Sequence, residues 1–397
     1  MTAVENDAAT TVIEVRSPID GSLVRTVPDR SAADVAAAVR ALRDHQPAWA
    51  DSGPKRRAEW LGRYRDWLLD HAEELADVIQ SESGKTRAEA LMELPMVTGV
   101  LNYYAANAAK FLAPESPGAA NALAVPKRYR VEYHPYPVVG VITPWNFPLL
   151  TPGFDALPAL LAGAAVLLEP SEFTPLTALF MLRGWREIGA PPVFDVVTGR
   201  GATGAALVDT VDYVQFTGST RTGKLIAHRA VDRLIHYSLE LGGKDPAIVL
   251  ADADIDRAAA GIAWGGLFNA GQACISVERV YVEAAVHDEF VTKLTAEVRR
   301  LRIGGGHDFR YDIGAMATRA QRDIVERHVS EAVSAGACAL TGGRPSRSPT
   351  PTRRCVWPTT ANTDCRPRCG PATPREVWPW PAESKSAPST STTSSTT

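Results

Sequence analysis

The apolar positions of this chain follow two rhythms, and the change between them falls near Arg128. Before it, apolar residues recur every three or four positions. Val35, Val39 and Leu42 follow a capping-box-like start at Ser31–Asp34, and Leu61, Tyr64, Leu68, Leu75 and Ile79 follow Pro54. Both stretches predict amphipathic helices, the second ended by Gly84 before another begins at Thr86. After it, Tyr129–Tyr133 alternates like a strand, and Val138–Ile142 is a continuous apolar run suited to a buried parallel strand. Similar runs follow at Ala164–Leu168, Val193–Val197, Tyr213–Phe216 and Ala247–Leu250, with helix-like segments between them. That alternation predicts an α/β fold with a mostly parallel sheet, whose ligands bind at the C-terminal ends of its strands. Further on, a helical pattern from Asp254 to Ala263 breaks at Gly265–Gly266 and delivers Cys274 into a Gly/Gln loop before a strand at Val280–Val282.

Composition narrows the class. The chain has 397 residues, 45% hydrophobic and 22% charged, with a net charge of -3. It is long enough for two domains and a large core. No basic stripe marks a nucleic-acid binder. The polar start, Met1–Asp7, argues against a secretory signal, and the longest apolar stretch, Pro158–Leu168, is too short to cross a bilayer. Five scattered cysteines form no disulfide framework. A cytoplasmic protein without a membrane anchor or a metal site is therefore expected.

The loops after the strands hold the candidate chemistry. Thr143-Pro144-Trp145-Asn146-Phe147-Pro148 fixes Asn146 between prolines, which suits either an immobile oxyanion donor or a simple turn. Glu169-Pro170-Ser171-Glu172 offers carboxylates that could accept from ribose hydroxyls, or merely solvated loop charges. Gly199–Gly204 is a literal G-x-G-x-x-G, but that fingerprint wants an acid roughly 20 residues on, where Ser219 stands. It is read as a tight turn. Thr217-Gly218-Ser219, with Gly223, is the better phosphate cradle, since a helix N-terminus favours anions. Leu239-Glu240-Leu241-Gly242-Gly243-Lys244 puts a carboxylate at a strand end, as a general base or as an acceptor for backbone amides. Cys274, on a loop between rigid elements, can be held and reached as a nucleophile, whereas a lone cysteine is more commonly a small buried apolar residue.

Taken together, Pro144–Pro148, Phe216–Ser219, Leu239–Lys244 and Phe268–Cys274 resemble the NAD(P)-dependent aldehyde dehydrogenase superfamily in order and spacing, from about Ile13 to about Pro345. Cys274–Val280 is most similar to the succinate-semialdehyde dehydrogenase branch. The resemblance implies that Cys274 attacks an aldehyde, succinic semialdehyde in that branch, while Asn146 and the Cys274 amide hold the oxyanion. It implies that Glu240 activates water to hydrolyse a thioester. Thr143, Trp145, Glu169, Glu172, Gly218, Ser219 and Gly242 would line the cofactor site. The implied organisation is a Rossmann-type dinucleotide-binding domain (1–118 and 135–241), an oligomerisation strand excursion (119–134) and a partial catalytic domain (242–345).

Two departures stand out. Where the family commonly has Lys-Pro-Ser-Glu, this chain has Glu169, whose charge is expected to repel a 2′-phosphate and so to favour NAD over NADP. After Pro345 the family pattern stops. Residues 346–397 contain no Leu, Ile, Met, Phe or Tyr, which predicts a disordered tail. Cys355, Cys365 and Cys369 lack the spacing and the histidine of a metal site. Read one nucleotide earlier, Asp364–Pro371 gives family-like sequence, so a frame change in the gene is expected, with the coding DNA as its test. The family's homo-oligomer, a dimer or tetramer, is put in doubt by the loss of its C-terminal strand. Three outcomes stay open: an NAD-dependent enzyme, a non-catalytic remnant that at most binds dinucleotide, and a thiol-dependent esterase.

Overall fold

A computed structural model describes residues 11–118, 121 and 127–342. The tail from Ser346, with Cys355, Cys365 and Cys369, lies outside the described residues. So do 119–120 and 122–126 of the expected strand excursion.

The first elements carry their start and stop signals in the sequence. A hairpin of β1 (Val12–Arg16) and β2 (Leu23–Pro28) leads into α1 (Ala32–Asp51). Ser31 and Asp34 close a reciprocal capping box at the start of α1. Helices α2 (Gly53–Asp70) and α3 (Ala72–Ser83) follow. Gly84 then ends α3 at φ 72, a left-handed position that glycine adopts without a Cβ clash. Thr86 and Glu89 make a second capping box for the long α4 (Arg87–Phe111).

The central sheet holds β3 (Val138–Thr143), β4 (Ala165–Pro170), β5 (Phe194–Val196), β6 (Tyr213–Gly218) and β7 (His236–Leu241). They are all parallel, in the order β5-β4-β3-β6-β7. Connecting helices are α5 (Leu150–Ala162), α6 (Leu176–Glu187), α7 (Gly201–Val208) and α8 (Thr220–Asp232). The chain builds outward from β3 to β5, then returns to the other side of β3 for β6 and β7. That reversal opens a crevice beyond the carboxyl ends of β3 and β6, where doubly wound sheets bind ligands. β4 is buried along its whole length, as its unbroken apolar run predicts.

A smaller unit follows. β8 (Asp245–Val249) pairs in parallel with β9 (Val277–Val282), covered by α9 (Ile255–Leu267) and α10 (His287–Arg300); α11 (Arg319–Ser334) closes the described chain. Asp254 caps α9, which runs through Gly265 and Gly266 to Leu267 rather than breaking at them. Tyr129–Tyr133, expected as a strand, makes only one isolated bridge, Val131 with Glu115. Tyr129, Val131 and Tyr133 are all exposed, so its alternation has no covered face to favour one register. Among the described residues, no helix is long and apolar enough to cross a membrane.

Candidate active site

Three loops converge at the crevice. After β3 the chain passes through Trp145 and Asn146 to α5; after β7 it passes through Gly242 and Gly243 to β8; after α9 it turns through Phe268–Gly271 to Cys274. Asn146 Nδ2 donates to the Gln272 carbonyl at 2.8 Å, and Asn269 Nδ2 donates back to the Asn146 carbonyl at 2.8 Å. These bonds cross more than a hundred residues of sequence and lock the first loop to the third. Gln272 extends the seam: its Oε1 accepts from the Ala317 amide at 2.8 Å. A Cβ placed on Gly243 would stand 4.0 Å from the Cys274 carbonyl, which brings the second loop alongside.

Cys274 is exposed, as a thiol that must meet a substrate has to be. The turn before it is unusual, because Asn269 and Ala270 hold φ 51 and 66, a left-handed conformation that non-glycine residues rarely adopt. Asn146 has a second amide hydrogen beyond the one given to Gln272, and its Oδ1 is buried without a partner. Its amide is thus fixed in orientation with a donor to spare.

Glu240, near the end of β7, is exposed and sits in register with Thr217 of β6. Register partners project from the same face of a sheet. On that face Thr217 Oγ1 donates to Asp155 Oδ2 at 3.5 Å. Burial pushes the Asp155 carboxyl up to about 7; the Thr217 hydrogen bond opposes this, and the Glu240 charge adds to it. Sequence reasoning missed Asp155, whose signal was a lone carboxylate inside the apolar run of α5.

The expected cofactor residues line the carboxyl ends of the strands, in differing states. Thr143, at the end of β3, is buried, and its hydroxyl has no partner. Trp145 accepts at its carbonyl from Thr174 Oγ1 at 3.4 Å. Glu172 accepts from Ser171 Oγ at 3.1 Å. Gly218 ends β6, and Ser219 caps α8, accepting from the Thr222 amide at 3.2 Å. Gly242 borders open space. Gly223, expected in the phosphate cradle, instead lets α8 approach β7: a Cβ there would fall 2.8 Å from Leu241 Cδ2.

Glu169 departs most from expectation. It is 5% exposed, and its Oε2 is buried without a partner, close against Gly204 of the G-x-G-x-x-G turn. Burial pushes its carboxyl up to about 8, helped by the charges of Glu172 and Asp29. That shift favours the neutral acid, and the side chain packs against Gly204, away from solvent. Buried polar atoms left unpaired cost about 1–3 kcal/mol each. Thr143 Oγ1, buried without a partner at the carboxyl end of β3, and the open backbone at Gly242 fit a polar ligand lying along the crevice, as a dinucleotide would.

A family model described as the aldehyde dehydrogenase family matches residues 4–367, further along the chain than Pro345. The chain belongs to the aldehyde dehydrogenase family. A curated relative from Mycolicibacterium smegmatis, named "Putative succinate-semialdehyde dehydrogenase", NADP(+), is 39% identical over 88% of this chain and 68% of its own length. Another from Mycobacterium ulcerans, with the same description and the number 2, is 39% identical over 82% of the chain and 62% of its own length. This chain thus spans about two thirds of the relatives it matches. A solved succinate-semialdehyde dehydrogenase from Burkholderia pseudomallei superposes with a TM-score of 0.83 at 32% identity, covering 89% of this chain and 72% of that one. A structure described as an E. coli NADP dependent enzyme gives a TM-score of 0.83 at 33% identity, covering 86% and 71%.

These names overturn the expected preference for NAD over NADP, since the relatives are named for NADP(+). The expectation counted Glu169 as a surface charge, whereas the side chain is buried against Gly204, where burial disfavours its anion.

Proposed function

We propose that the chain oxidises an aldehyde, succinic semialdehyde by analogy with its named relatives, to the carboxylic acid with NADP. The observation that carries this reading is the 2.8 Å bond from Asn146 to the Gln272 carbonyl, which places a fixed amide donor beside the Cys274 loop. In this reading the Cys274 sulfur, as thiolate, bonds to the aldehyde carbon. The carbonyl oxygen becomes an oxyanion held by the free Asn146 amide hydrogen and the Cys274 backbone N–H. NADP, when bound, supplies the hydride acceptor for the oxidation. Thr143, Trp145, Glu169, Glu172, Gly218, Ser219 and Gly242 would hold it along the carboxyl ends of the strands. Glu240 takes a proton from water, whose oxygen attacks the acyl carbon; the carbon–sulfur bond breaks and Cys274 departs as thiolate.

The test is formation of reduced cofactor by purified protein with succinic semialdehyde, comparing NADP with NAD and using Cys274→Ser as control. Faster turnover with NADP that vanishes in the control supports the reading. No turnover from soluble, folded protein would reject it and favour a non-catalytic remnant. Cys274-dependent ester turnover without cofactor, with no oxidation of the aldehyde by either NADP or NAD, would mark an esterase.

A further inference from the structure

The start of α4 reaches both loops of the site from behind. Glu89 and Glu93 lie one helical turn apart and so share a face. Glu89 Oε2 accepts from the Thr86 amide at 3.2 Å, completing the capping box, while its Oε1 accepts from the Asn269 amide at 2.7 Å. Glu93 Oε2 accepts from the amides of Leu149 at 3.0 Å and Leu150 at 2.8 Å, at the entrance to α5. Its Oε1 takes the Lys85 ammonium at 2.5 Å, and that ammonium lies 3.9 Å from the centre of the Phe147 ring. Lys85, Glu89 and Glu93 are 2%, 5% and 1% exposed.

We propose that Glu89 and Glu93 form a brace that sets the separation of Asn146 from Cys274, as positioning residues for the thiol chemistry read above, on which this inference rests. Asn269 is the first left-handed residue of the nucleophile turn, and such a conformation persists only where its surroundings enforce it. Glu89 grips that residue's own amide. Leu149 and Leu150 directly follow the Asn146 loop, and Glu93 grips both of their amides. A carboxylate is required at position 89 because each of its oxygens faces an N–H donor. A glutamine would turn its own N–H₂ toward one of them.

The experiment compares two reactions of Cys274 in Glu89→Gln and Glu93→Gln. Acylation by p-nitrophenyl acetate needs the oxyanion donor beside the sulfur, whereas alkylation by iodoacetamide needs only the thiol. Site-resolved mass spectrometry reads the alkylation, with exposed Cys338 as internal reference. Each variant is expected to lose ~10-fold or more in acylation rate, since small misplacement of reacting groups carries penalties of that order, while alkylation of Cys274 relative to Cys338 stays unchanged.

Glu82→Gln is the control. Glu82 is equally buried and caps α6 through the Leu176 and Thr177 amides and the Thr177 hydroxyl, groups that belong to neither loop. Unchanged acylation in Glu89→Gln, or an equal loss in Glu82→Gln, overturns the brace. If the unmodified protein is not acylated, or the variants do not fold, hydrogen exchange of the unmodified chain decides. An Asn269 amide protected like the interior of α4 supports the brace, and one exchanging like an open turn overturns it.

Discussion

Around the five-stranded sheet, Trp49, Tyr64, Leu68, Leu160 and Trp185 are all fully buried, and the interior is deep enough to hold charges as well. Arg57, Lys85, Glu89 and Glu93 are buried there, most of them bonded to backbone groups at helix ends or turns. Around β8 and β9 the core is Val249, Ile255, Ala259, Ala263, Val280, Phe290, Leu294 and Val298. Ile248, Leu250, Trp264 and Tyr281 of that unit stay exposed, as does Ile275 beside the nucleophile. One half can desolvate an ion and still be stable; the other has little apolar burial to set against chain entropy. Cys274 and the left-handed turn belong to the weaker half, while the groups that hold that turn belong to the stronger.

The comparison breaks first at Phe290, the largest fully buried side chain of the small core. Phe290→Ala is expected to cost about 3–5 kcal/mol. Hydrogen-exchange protection should collapse in β8, β9, α9 and α10 while β3–β7 keep theirs; equal loss in both would show one cooperative unit. In the large half, Lys85→Met leaves Glu93 without its cation and is expected to cost about 3 kcal/mol. Chemical denaturation reads it, and an effect under about 1 kcal/mol, as for an exposed pair, would contradict the burial argument.

Glu169 supplies a smaller, pH-dependent effect. Its carboxyl titrates near 8 in the folded chain against an ordinary 4.5, so between those values the folded state holds a proton that the unfolded state has lost. Stability is therefore complete below about 4.5 and falls as pH rises through about 8, by at most about 1.4 kcal/mol per pH unit. Glu169→Gln should reduce the pH slope of the melting temperature across that window, with the raised carboxyls of Glu82 and Asp155 left to supply the rest. A variant that melts with the same pH slope as the unmodified protein would show Glu169 to be charged after all. Smallest of all, Ser219→Ala removes an exposed cap and is expected to cost about 1 kcal/mol or less. A thermal shift larger than that of Phe290→Ala would invert the ranking.

Much of this was legible in the sequence, wherever a local pattern carried the information. The apolar runs gave β3, β4 and β6, and Ser31, Thr86 and Gly84 announced helix ends that the structure reproduces. The loop bearing Asn146 stood out by its two prolines after an apolar strand and that bearing Cys274 by its Gly/Gln run, and the structure joins the two through Asn146 and Gln272. Glu89 was not legible, since its capping box with Thr86 explains it locally and its other oxygen serves a residue 180 positions away. Glu169 was misjudged because burial is a property of what packs over a residue, here Gly204 of a later turn. Tyr129–Tyr133 failed because alternation forms a strand only when something pairs with it.

The seam that joins the site has a consequence for how the chain reaches its final state. Asn146 meets Gln272 across 126 positions, and Gln272 in turn meets Ala317 across 45. Closing such long loops costs entropy before any contact offsets it, so these bonds are expected among the later events of folding. A chain still threading its way to the native state would have its helices and most of its sheet, but no oriented amide beside the thiol. The acylation rate of Cys274 would then serve as a clock for the completion of folding, running later than any signal from the helices.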